Sequence, residues 1–481
     1  MKKVLHISTE CYPAAKSGGL GDVVGALPVY QEKFDIEASV IIPKYNLPWF
    51  QKQNFTTEFS GHIQLAEYGY NFEVQKLKDG VLPYPLYCID IPNLFDRPSI
   101  YLDEHGKGYQ DEPQRNIAFQ RTILQWLVKC NKDFDLLHCH DHQSGLIPFF
   151  TKFVPKFSSL SWIPTIFTIH NAQYRGIFQW YFQKYLPAYD WQHNGWLDWD
   201  HCINSLAAAV KVADIVTTVS PNYMAEISMY SGNLETLFRS EQQKCTGIIN
   251  GIDTEVWDPK TDKYLDHKRT HHWQTFKNKN KKSLCEEFNL DPKLPLISFI
   301  GRLANEKGAD FLGESIYHAC KMQSNASFIL LGSGDKEIEN DLLTLQSYFP
   351  DRVASIIKYD EGLAHKIYAG SDFLMMPSRF EPCGLNQMYA MHYGTIPIVR
   401  STGGLKDTVP DISEDGNGIA YLESSAGALT HSIMRALELY SNKEQFKKLR
   451  KKVIAIDFSW EKSAQKYFDL YHQILEKQLQ T

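Results

Sequence analysis

Residues 15–24 read AKSGGLGDVV and residues 401–409 read STGGLKDTV, so one pattern, [ST]-G-G-L-x-D-x-V, occurs near both ends of the chain. The first copy follows the apolar run VLHIS and opens a helical pattern, and the second follows TIPIV and opens a shorter one. Glycine allows a ligand to approach the backbone closely, and the first amides of a helix offer N–H donors to a phosphate. The repeated turn therefore predicts two halves of similar design, each with a candidate phosphate site. The alternative for either copy is a tight corner without a ligand.

Short β-branched runs alternate with longer helical patterns through both halves of the chain. In the first half the predicted buried strands are Val4–Ser8, Ala38–Pro43, Leu86–Ile91, Phe134–Cys139, Thr165–His170 and Ile215–Val219. In the second half they are residues 296–301, 328–332, 373–377 and 395–399. Such alternation is typical of an α/β protein whose parallel sheets are covered by helices on both faces. Because 481 residues exceed the usual size of one domain, we expect two.

Composition narrows the class of protein. The formal net charge of −6 argues against nucleic acid or an anionic membrane as the main partner. The nine cysteines form no C-x-x-C pair, which indicates reduced thiols in a cytoplasmic protein. The start, MKKVLHISTE, lacks the apolar core of a signal peptide, and no stretch approaches the ~20 apolar residues of a membrane span. We expect a cytoplasmic protein.

A connector and a terminal helix complete the organisation. Residues 258–282 are rich in Lys, Asn and His and carry almost no strand signal, and we interpret them as a solvated connector. Their lysines do not alternate with stacking aromatic residues, so a nucleic-acid patch is disfavoured. The segment DFSWEKSAQKYFDLYHQIL (457–475) predicts an amphipathic helix with Ser459 as its N-cap.

A dinucleotide-binding turn is the obvious competitor for the first Gly-rich segment. Gly19, Gly21 and Gly25 resemble the Rossmann fingerprint, but the first of them comes some way after the strand ends rather than directly after it. The second strand ends in Pro43-Lys44 and supplies no acid for a ribose. A nicotinamide-dependent oxidoreductase is therefore disfavoured.

Two strand ends in the first half carry polar side chains. In HCHDH (138–142), His138 and His140 share a strand face and could bind zinc, but a distant partner set with metal spacing is missing. We therefore predict no metal and assign Asp141 to sugar binding. In TIHNAQYRG (168–176), His170 and Asn171 are candidate donors to ligand oxygens, and the alternative for His170 is an imidazole at the edge of the core.

Two further motifs lie in the second half. GRLANEKG (301–308) places Arg302 and Lys307 after a strand, where two cations suit a leaving diphosphate, unless Arg302 merely pairs with Glu306. SRFEPCGLNQMYAM (378–391) places Glu381 before a helix start, a plausible position for binding sugar and nucleotide. Cys383 resembles a nucleophile, but no base is apparent near it, so catalysis by Cys383 is rejected.

Together these segments resemble the bacterial glycogen synthase and plant starch synthase family. The resemblance rests on KSGGLGDV, HCHDH, FTIHNAQYRGIF, GIINGID, GRLANEKG, SRFEPCGLNQ and STGGLKDTV, in this order. It implies a GT-B fold of two Rossmann-like domains, 1–257 and 258–458, with parallel sheets facing across a deep cleft and a final helix, 459–481, returning to the first domain. It also implies a retaining transferase that moves glucose from ADP-glucose to the non-reducing 4-hydroxyl of an α-1,4-glucan, without a metal or cofactor.

The resemblance also implies site residues, position by position. Lys16 and the amides of Gly18 and Gly19 would meet the diphosphate, with Asp22 beside the nucleotide. The groups implied around glucose are Asp141, His170, Asn171 and Asn250. Arg302 and Lys307 would stabilise departing ADP, and Glu381 would hold the glucose with the amides of Cys383, Gly384 and Leu385. Tyr359 would stack on adenine, and Thr402, Gly403 and Gly404 would complete the phosphate site.

Three departures from the family pattern and three alternatives remain, and one departure is Ser99, which stands where a glycine is common next to an expected acceptor loop. Ser17 stands where a threonine is usual and keeps the hydroxyl, whereas His142 stands where a tryptophan is usual and removes an aromatic wall. The nearest alternative is a related transferase that uses UDP-glucose. A non-catalytic glucan-binding homologue and a glucan phosphorylase are the others, the last needing a pyridoxal phosphate lysine in a longer chain.

Overall fold

The structure is a computed structural model that describes residues 1–270, 272–322 and 325–479. By its internal contacts the chain divides into unit 1, Met1–Ile249 with Trp460–Thr481, and unit 2, Asn250–Ser459. The boundary expected at residues 257 and 258 thus lies earlier in the structure. Trp257 explains the difference, because its ring stacks on those of His365 at 3.8 Å and Tyr389 at 3.9 Å between centroids, both in unit 2. Residues 480 and 481 of the expected final helix lie outside the described residues.

The elements of unit 1 follow the predicted alternation. Its strands are β1 (Lys2–Ile7), β2 (Ile36–Pro43), β3 (Phe55–Leu65), β4 (Tyr68–Leu77), β5 (Leu86–Asp90), β6 (Leu136–His140), β7 (Thr165–Ile169), β8 (Ile177–Phe178), β9 (Asp198–Trp199), β10 (Cys202–Asn204), β11 (Ile215–Thr218) and β12 (Cys245–Gly247). Its helices are α1 (Gly19–Gln31), α2 (Pro48–Gln51), α3 (Glu112–Lys129), α4 (Ile147–Phe153), α5 (Asn194–Leu197), α6 (Ser205–Val212), α7 (Pro221–Ile227), α8 (Glu235–Ser240) and the C-terminal helix (Trp460–Leu479).

One large sheet organises unit 1. Its strand order is β12-β11-β7-β6-β1-β2-β5-β4-β3, parallel from β12 to β5 and antiparallel for β4 and β3. The chain runs from β1 to β2 on one side and later enters β6 on the other side of β1. Strand order therefore reverses beside β1, where open α/β sheets bind ligands at the carboxyl ends of their strands. The residues that follow β1, β6 and β7 meet at this edge.

The C-terminal helix belongs to the core of unit 1. Its apolar face packs with α1 and with strands of the large sheet, through Trp460, Ala464, Tyr467, Tyr471 and Ile474. Burying this face removes large aromatic side chains from water, which is the main source of stability for such a contact. Unit 1 is thus built from both ends of the sequence.

Unit 2 contains a second parallel sheet. Its strands are β13 (Leu296–Ile300), β14 (Ser327–Gly332), β15 (Val353–Ile357), β16 (Phe373–Met376), β17 (Ile396–Arg400) and β18 (Ile419–Tyr421). Its helices are α9 (Trp273–Glu287), α10 (Leu312–Lys321), α11 (Lys336–Tyr348), α12 (Glu361–Gly370), α13 (Asn386–His392), α14 (Gly403–Thr408), α15 (Ala426–Ser441) and α16 (Lys443–Ile454). The order β15-β14-β13-β16-β17-β18 is that of a doubly wound nucleotide-binding sheet, with its reversal at β13 and β16.

These two sheets confirm the predicted α/β class with two Rossmann-like units. The prediction of a solvated connector was wrong for its second half, because this part of the segment belongs to helix α9. The Lys277 ammonium is buried and donates to Thr395 Oγ1 at 2.7 Å, and Lys281 pairs with Asp372 at 2.6 Å. Those two lysines hold the interior of unit 2 together, which leaves them unsuited to binding nucleic acid.

Candidate active site

The first Gly-Gly turn lies between β1 and α1 and is held by the carboxylate of Glu10. Glu10 Oε2 accepts hydrogen bonds from the amides of Ser17 at 2.6 Å and Gly18 at 3.0 Å. Its Oε1 accepts a third from the Tyr101 hydroxyl at 2.7 Å. The Gly18 amide, expected to meet a diphosphate, instead donates to Glu10.

Space remains beside this turn. A Cβ atom built on Gly18 or Gly19 meets no atom of the described residues within 4 Å. Gly25, further along α1, differs, because a Cβ there would lie 2.6 Å from the Tyr12 carbonyl oxygen. Gly25 therefore packs the helix on its own loop, whereas the backbone at Gly18 and Gly19 can be approached by a ligand.

Lys16 lies beside the same turn with Asp22 as its partner. The Lys16 ammonium is 2.7 Å from Asp22 Oδ1, and both side chains are partly exposed. A partly exposed ion pair of this kind contributes little to stability, so its cation exchanges readily for another anion. The pair therefore provides a positive charge that can move to a diphosphate.

Glu10 is the part of this turn that the sequence did not predict. The residue is only 3% exposed, and burial raises the pKa of its carboxyl group above the ordinary value. A carboxylate three residues after β1, at the carboxyl edge of a parallel sheet, was the signal that could have identified it. Its three hydrogen bonds make it the anchor of the turn.

Asp141 follows β6 with an unusual backbone conformation. Its φ of 56° and ψ of 176° fall in a region that glycine normally occupies, a strain that persists where surrounding structure enforces it. Asp141 Oδ1 accepts hydrogen bonds from the amides of His170 at 2.7 Å and Asn171 at 3.4 Å. Burial raises the pKa of Asp141 to about 7. The structure thus joins the ends of β6 and β7 through one strained, buried carboxyl group.

The side chain of His170 points back into unit 1. His170 Nε2 lies 3.0 Å from His140 Nδ1, so its partner is a second imidazole rather than the backbone. Burial lowers the pKa of His170 to about 3, which keeps the ring neutral. Asn171 Oδ1 accepts from the Gln173 amide at 2.9 Å, which shapes the loop after β7.

His138 and His140, for which zinc was considered and disfavoured, are part of a hydrogen-bonded cluster. Ring nitrogens of His6, His138 and His140 lie within 4.8 Å of one another, close enough for a metal. His138, however, bonds to the Tyr471 hydroxyl at 2.7 Å and to Thr168 Oγ1 at 2.6 Å, and the nitrogens of the other two rings also have partners. This pairing favours a polar core over a metal centre.

His142, in place of the family tryptophan, forms one wall of a pocket of about 290 Å³ in unit 1. His142 Nε2 lies 2.9 Å from Glu112 Oε1, and this hydrogen bond lowers the pKa of Glu112. His142 Nδ1 is buried and lacks a hydrogen-bond partner among the described residues. Asn116, Tyr174 and Ile177 also line the pocket. A cavity with polar groups and an exposed aromatic ring suits a saccharide.

In unit 2, the segment after β13 contains the two predicted cations. The Arg302 guanidinium pairs with Glu306 on an exposed surface, which is the alternative considered for this residue. Such a pair is weak and does not prevent Arg302 from turning to an anion. Arg302 therefore stays a prediction as a diphosphate-binding group.

Lys307 and Glu381 meet at the point where the strand order of unit 2 reverses. The Lys307 ammonium donates to Glu381 Oε2 at 2.7 Å, and the Ser378 hydroxyl donates to the same oxygen at 2.9 Å. Glu381 is 8% exposed and Lys307 is partly buried. This largely desolvated ion pair brings together the cation assigned to the leaving group, Lys307, and the carboxylate assigned to the sugar, Glu381.

Cys383, Gly384 and Leu385 lead into α13, a helix of seven residues. Burial raises the pKa of the Cys383 thiol to about 12, so this thiol is a poor nucleophile. Asn250 donates its backbone N–H to Cys383. The Oδ1 atom of Asn250 is buried and has no hydrogen-bond partner among the described residues. Asn250 is thus placed beside the predicted sugar-binding segment.

The second Gly-Gly turn is packed against protein rather than open. A Cβ on Gly403 would overlap the carbonyl oxygen of Glu381, and one on Gly404 would overlap that of Cys383. The Gly404 amide donates to the Glu381 carbonyl at 3.1 Å. The amide predicted to bind phosphate is therefore used to hold the segment around Glu381. Thr402 precedes α14 as its N-cap residue in extended conformation.

The family assignment rests on comparison with known proteins. Residues 3–240 match the starch synthase catalytic domain family, and residues 280–453 match glycosyl transferases group 1. A glycogen synthase of Flavobacterium johnsoniae is 45% identical over 477 residues, which cover 99% of this chain and all of the relative. The chain belongs to the glycogen synthase family. It is therefore a glycosyltransferase, as the sequence predicted.

Further relatives agree with this family. A glycogen synthase of Thermodesulfovibrio yellowstonii is 35% identical, with 98% of each chain covered. The solved structure of the catalytic domain of starch synthase IV from Arabidopsis thaliana, bound to ADP and acarbose, matches with a TM-score of 0.88 at 31% identity over 99% of each chain. A sucrose-phosphate synthase of Thermosynechococcus elongatus, 17% identical at a TM-score of 0.63, shares the fold alone.

Tyr359, predicted to stack on adenine, follows β15 at the carboxyl edge of the unit 2 sheet, and the residue is 82% exposed.

Within residues 1–270, 272–322 and 325–479, no helix is both long and apolar enough to span a membrane.

Proposed function

We propose that the chain transfers glucose from ADP-glucose to the non-reducing 4-hydroxyl of an α-1,4-glucan with retention of configuration. The observation that carries this proposal is the pair of Lys307 and Glu381, 2.7 Å apart at the switch point of a doubly wound sheet, in a chain of the glycogen synthase family. The Arabidopsis starch synthase IV structure, which contains ADP, supports an adenine nucleotide as donor.

In this proposal unit 2 binds the nucleotide. Lys307 and Arg302 stabilise the negative charge that develops on the diphosphate as the glycosidic bond breaks. Glu381, held by Lys307 and Ser378, accepts hydrogen bonds from sugar hydroxyls. Tyr359 supplies an exposed ring at the strand edge for adenine. Asn250, with its unpartnered Oδ1, accepts a hydrogen bond from the sugar.

Unit 1 supplies the remaining groups. Lys16 and the open backbone at Gly18 and Gly19 are assigned to the diphosphate, with Asp22 beside the nucleotide. Asp141, His170 and Asn171 are assigned to glucose. To the buried carboxyl group of Asp141 we assign the stabilisation of the sugar as it becomes cationic in the transition state.

In this proposal the transfer uses neither a metal nor a cofactor. The bond between glucose C1 and the diphosphate oxygen breaks, and a bond forms from C1 to the acceptor 4-oxygen on the same face. The proton of the acceptor hydroxyl passes to the departing phosphate oxygen. Retention by this front-face route needs no covalent glucosyl-enzyme.

The pocket at His142 is assigned to the glucan acceptor. Its volume of about 290 Å³ accommodates a saccharide, and His142 on its wall follows Asp141 directly in the sequence. The exposed Tyr174 ring offers a face for stacking on a sugar. His142→Ala should raise the KM for glucan and leave the KM for ADP-glucose within twofold. Equal changes in both constants would remove this assignment.

The decisive experiment is a donor comparison. Purified protein is incubated with glycogen and either ADP-glucose or UDP-glucose, and glucan growth is measured as initial rates. We expect faster growth with ADP-glucose. Faster growth from UDP-glucose would transfer the proposal to the related UDP-glucose enzymes. Growth with neither donor would favour a non-catalytic glucan-binding protein, and phosphate-dependent release of glucose 1-phosphate would indicate a phosphorylase.

A further inference from the structure

Four imidazoles cluster inside unit 1, and three of them, His6, His140 and His170, form a hydrogen-bonded row. His6 lies on β1, His138 and His140 lie on the neighbouring β6, and His170 follows β7. The first three are fully buried and His170 is 8% exposed. Because β1, β6 and β7 are adjacent in the sheet, their side chains on one face come together. The row runs from the core of the unit to the candidate glucose site.

Hydrogen bonds connect three members of the row to one amide. Gln31 Oε1 lies 2.9 Å from His6 Nε2, His6 Nδ1 lies 3.0 Å from His140 Nε2, and His140 Nδ1 lies 3.0 Å from His170 Nε2. At its other end Gln31 donates through Nε2 to the Tyr471 hydroxyl at 2.9 Å. Tyr471 lies on the C-terminal helix, so these hydrogen bonds connect the row to a residue near the end of the sequence.

The imidazoles in this row are neutral. Burial lowers the pKa of His6 to about 4, that of His170 to about 3, and those of His138 and His140 well below the ordinary value. A neutral imidazole has one N–H donor and one bare acceptor nitrogen. Each ring in the chain must therefore donate on one side and accept on the other, so its direction is set at one end.

The Gln31 amide sets that direction. Its Nε2 donates to Tyr471, so its Oε1 is the acceptor that faces His6. His6 then carries its proton on Nε2 and accepts on Nδ1 from His140 Nε2–H. His140 in turn accepts on Nδ1 from His170 Nε2–H. His170 is left with a bare Nδ1, an acceptor for a hydroxyl proton.

We propose that Gln31 and Tyr471 are positioning residues that fix His170 as its Nε2-protonated tautomer, so that its bare Nδ1 accepts a hydrogen bond from a hydroxyl of the donor sugar. This inference rests on the proposed role of His170 in holding glucose. It gives the C-terminal helix a part in recognising a sugar that it does not touch. A sugar lacking that hydroxyl would leave Nδ1 unpaired and would bind less well.

A branch of the same cluster provides the matched control. His138 bonds to Tyr471 at 2.7 Å and to Thr168 at 2.6 Å, and Thr168 bonds to Thr217 at 2.5 Å. The Thr217 hydroxyl is buried in the same core, but this branch does not pass through His140 or His170. Thr217→Val therefore removes a comparable buried hydrogen bond that lies beyond His138 and Thr168, outside the bonds that join Gln31, His6, His140 and His170.

The experiment reads tautomers and kinetics on the full chain. In protein labelled with ¹⁵N-histidine, long-range ¹H–¹⁵N spectra assign protonated and bare ring nitrogens, and His170→Ala identifies the His170 signals. We expect a bare Nδ1 and a protonated Nε2 for His170 in the unaltered chain. A protonated Nδ1 would overturn the proposal.

Three variants test the two positioning residues. Gln31→Leu and Tyr471→Phe should mix the tautomers of His170 and lower kcat/KM for the sugar donor about tenfold. Gln31→Glu keeps an acceptor toward His6, so it should retain the tautomer and most of the activity. Thr217→Val should lose a comparable amount of thermal stability but keep both the tautomer of His170 and the kcat/KM for the sugar donor. If Thr217→Val loses as much kcat/KM as Gln31→Leu, the row is only structural.

These experiments distinguish two claims, that His170 binds the sugar and that Gln31 and Tyr471 fix the tautomer of His170. If His170→Ala keeps full kcat/KM while the unaltered chain shows the expected tautomer, the row is correct and His170 does not hold the sugar, which overturns the recognition part of the proposal. Mixed tautomers in the unaltered chain overturn the positioning part whatever the kinetics show.

Discussion

The two Gly-Gly turns share a sequence pattern but differ in their surroundings. In the first, the carboxylate of Glu10 holds the backbone from one side, and the space next to Gly18 and Gly19 is open. In the second, Gly403 and Gly404 lie against the backbone of residues 381–383. The first turn opens a helix of thirteen residues and the second a helix of six.

This difference shows that one motif can meet two physical demands. Glycine permits close approach of any group to the backbone, whether that group belongs to a ligand or to the protein. At the first turn the space beside the glycines is open to a ligand. At the second turn backbone carbonyl groups of the protein occupy that space, and this contact fixes the position of Glu381. The repeated pattern therefore predicts close approach at each site but not what approaches.

The largest expected effect separates Lys16, beside the first turn, from Lys307, whose partner Glu381 lies against the second turn. Lys307→Ala should lower kcat by about 10²–10³, because Lys307 both stabilises departing diphosphate and holds the largely buried Glu381. Lys16→Ala should cost only about tenfold, since its partner Asp22 is partly exposed. Initial rates of glucan growth at saturating donor measure both. Equal losses of kcat in the two variants would contradict the expected difference between the lysines. Unchanged turnover in Lys307→Ala would favour a non-catalytic protein.

A methyl group at the second turn should destabilise the fold. Gly404→Ala places a Cβ against the Cys383 carbonyl, so the backbone must shift, at a cost of about 3 kcal/mol in the free energy of unfolding. Gly313→Ala, in α10 of the same unit, meets no described atom within 4 Å and is the matched control. Its unfolding free energy should rise by up to about 1 kcal/mol. Urea titration compares the two, and equal midpoints would show that the second turn is not packed.

The anchor of the first turn gives an intermediate effect. Glu10→Ala leaves two amides and the Tyr101 hydroxyl without their acceptor and should cost about 2 kcal/mol of unfolding free energy. Glu10→Gln keeps an oxygen for the amides and should cost about 1 kcal/mol or less. If both variants lose equally, the hydrogen bonds to Glu10 do not stabilise the turn.

The same residue predicts a pH dependence. Because burial raises the pKa of Glu10 in the folded state, the fold binds this proton more tightly than the unfolded chain does. Its favourable contribution is therefore complete below the ordinary pKa of a glutamate and falls as pH rises through the raised pKa. The stability of Glu10→Gln relative to the unaltered chain should rise over that range in denaturant titrations at several pH values. A constant difference would contradict the raised pKa.

The smallest change in stability is expected at the open turn. Gly18→Ala should alter the free energy of unfolding by no more than about 0.5 kcal/mol, because the backbone φ of −152° is extended and the added Cβ meets no described atom within 4 Å. The KM for the nucleotide sugar should nevertheless rise about tenfold, since the methyl group occupies the space left for a ligand. An unchanged KM would show that the open space beside the turn is not used.

The fold was predicted well where burial alone determines it. The runs predicted at residues 4–8, 165–170 and 328–332 correspond to β1, β7 and β14 with ends that differ by at most two residues. The β3–β4 hairpin was missed, because its alternating exposed residues resemble a polar segment. Helix α9 was also missed, since its buried lysines make the segment look solvated.

Candidate site residues could be placed where they follow a strand. Asp141, His170 and Lys307 each follow a strand, as expected, because parallel strands of a sheet end at one edge. Their partners were less accessible, because Glu10 and Ser17 or Gln31 and Tyr471 meet only after the chain has folded. No local pattern of propensity or spacing encodes a contact between residues 31 and 471.

The C-terminal helix imposes an order on biosynthesis. A ribosome releases Met1–Ile249, nearly all of unit 1, before any of unit 2, yet the core of unit 1 needs Trp460, Tyr467 and Tyr471. Unit 2, which is continuous from Asn250 to Ser459, has all of its own residues available earlier. The half of the protein that is translated first is therefore completed last, and a nascent chain stopped before residue 460 would leave an apolar surface on α1 uncovered.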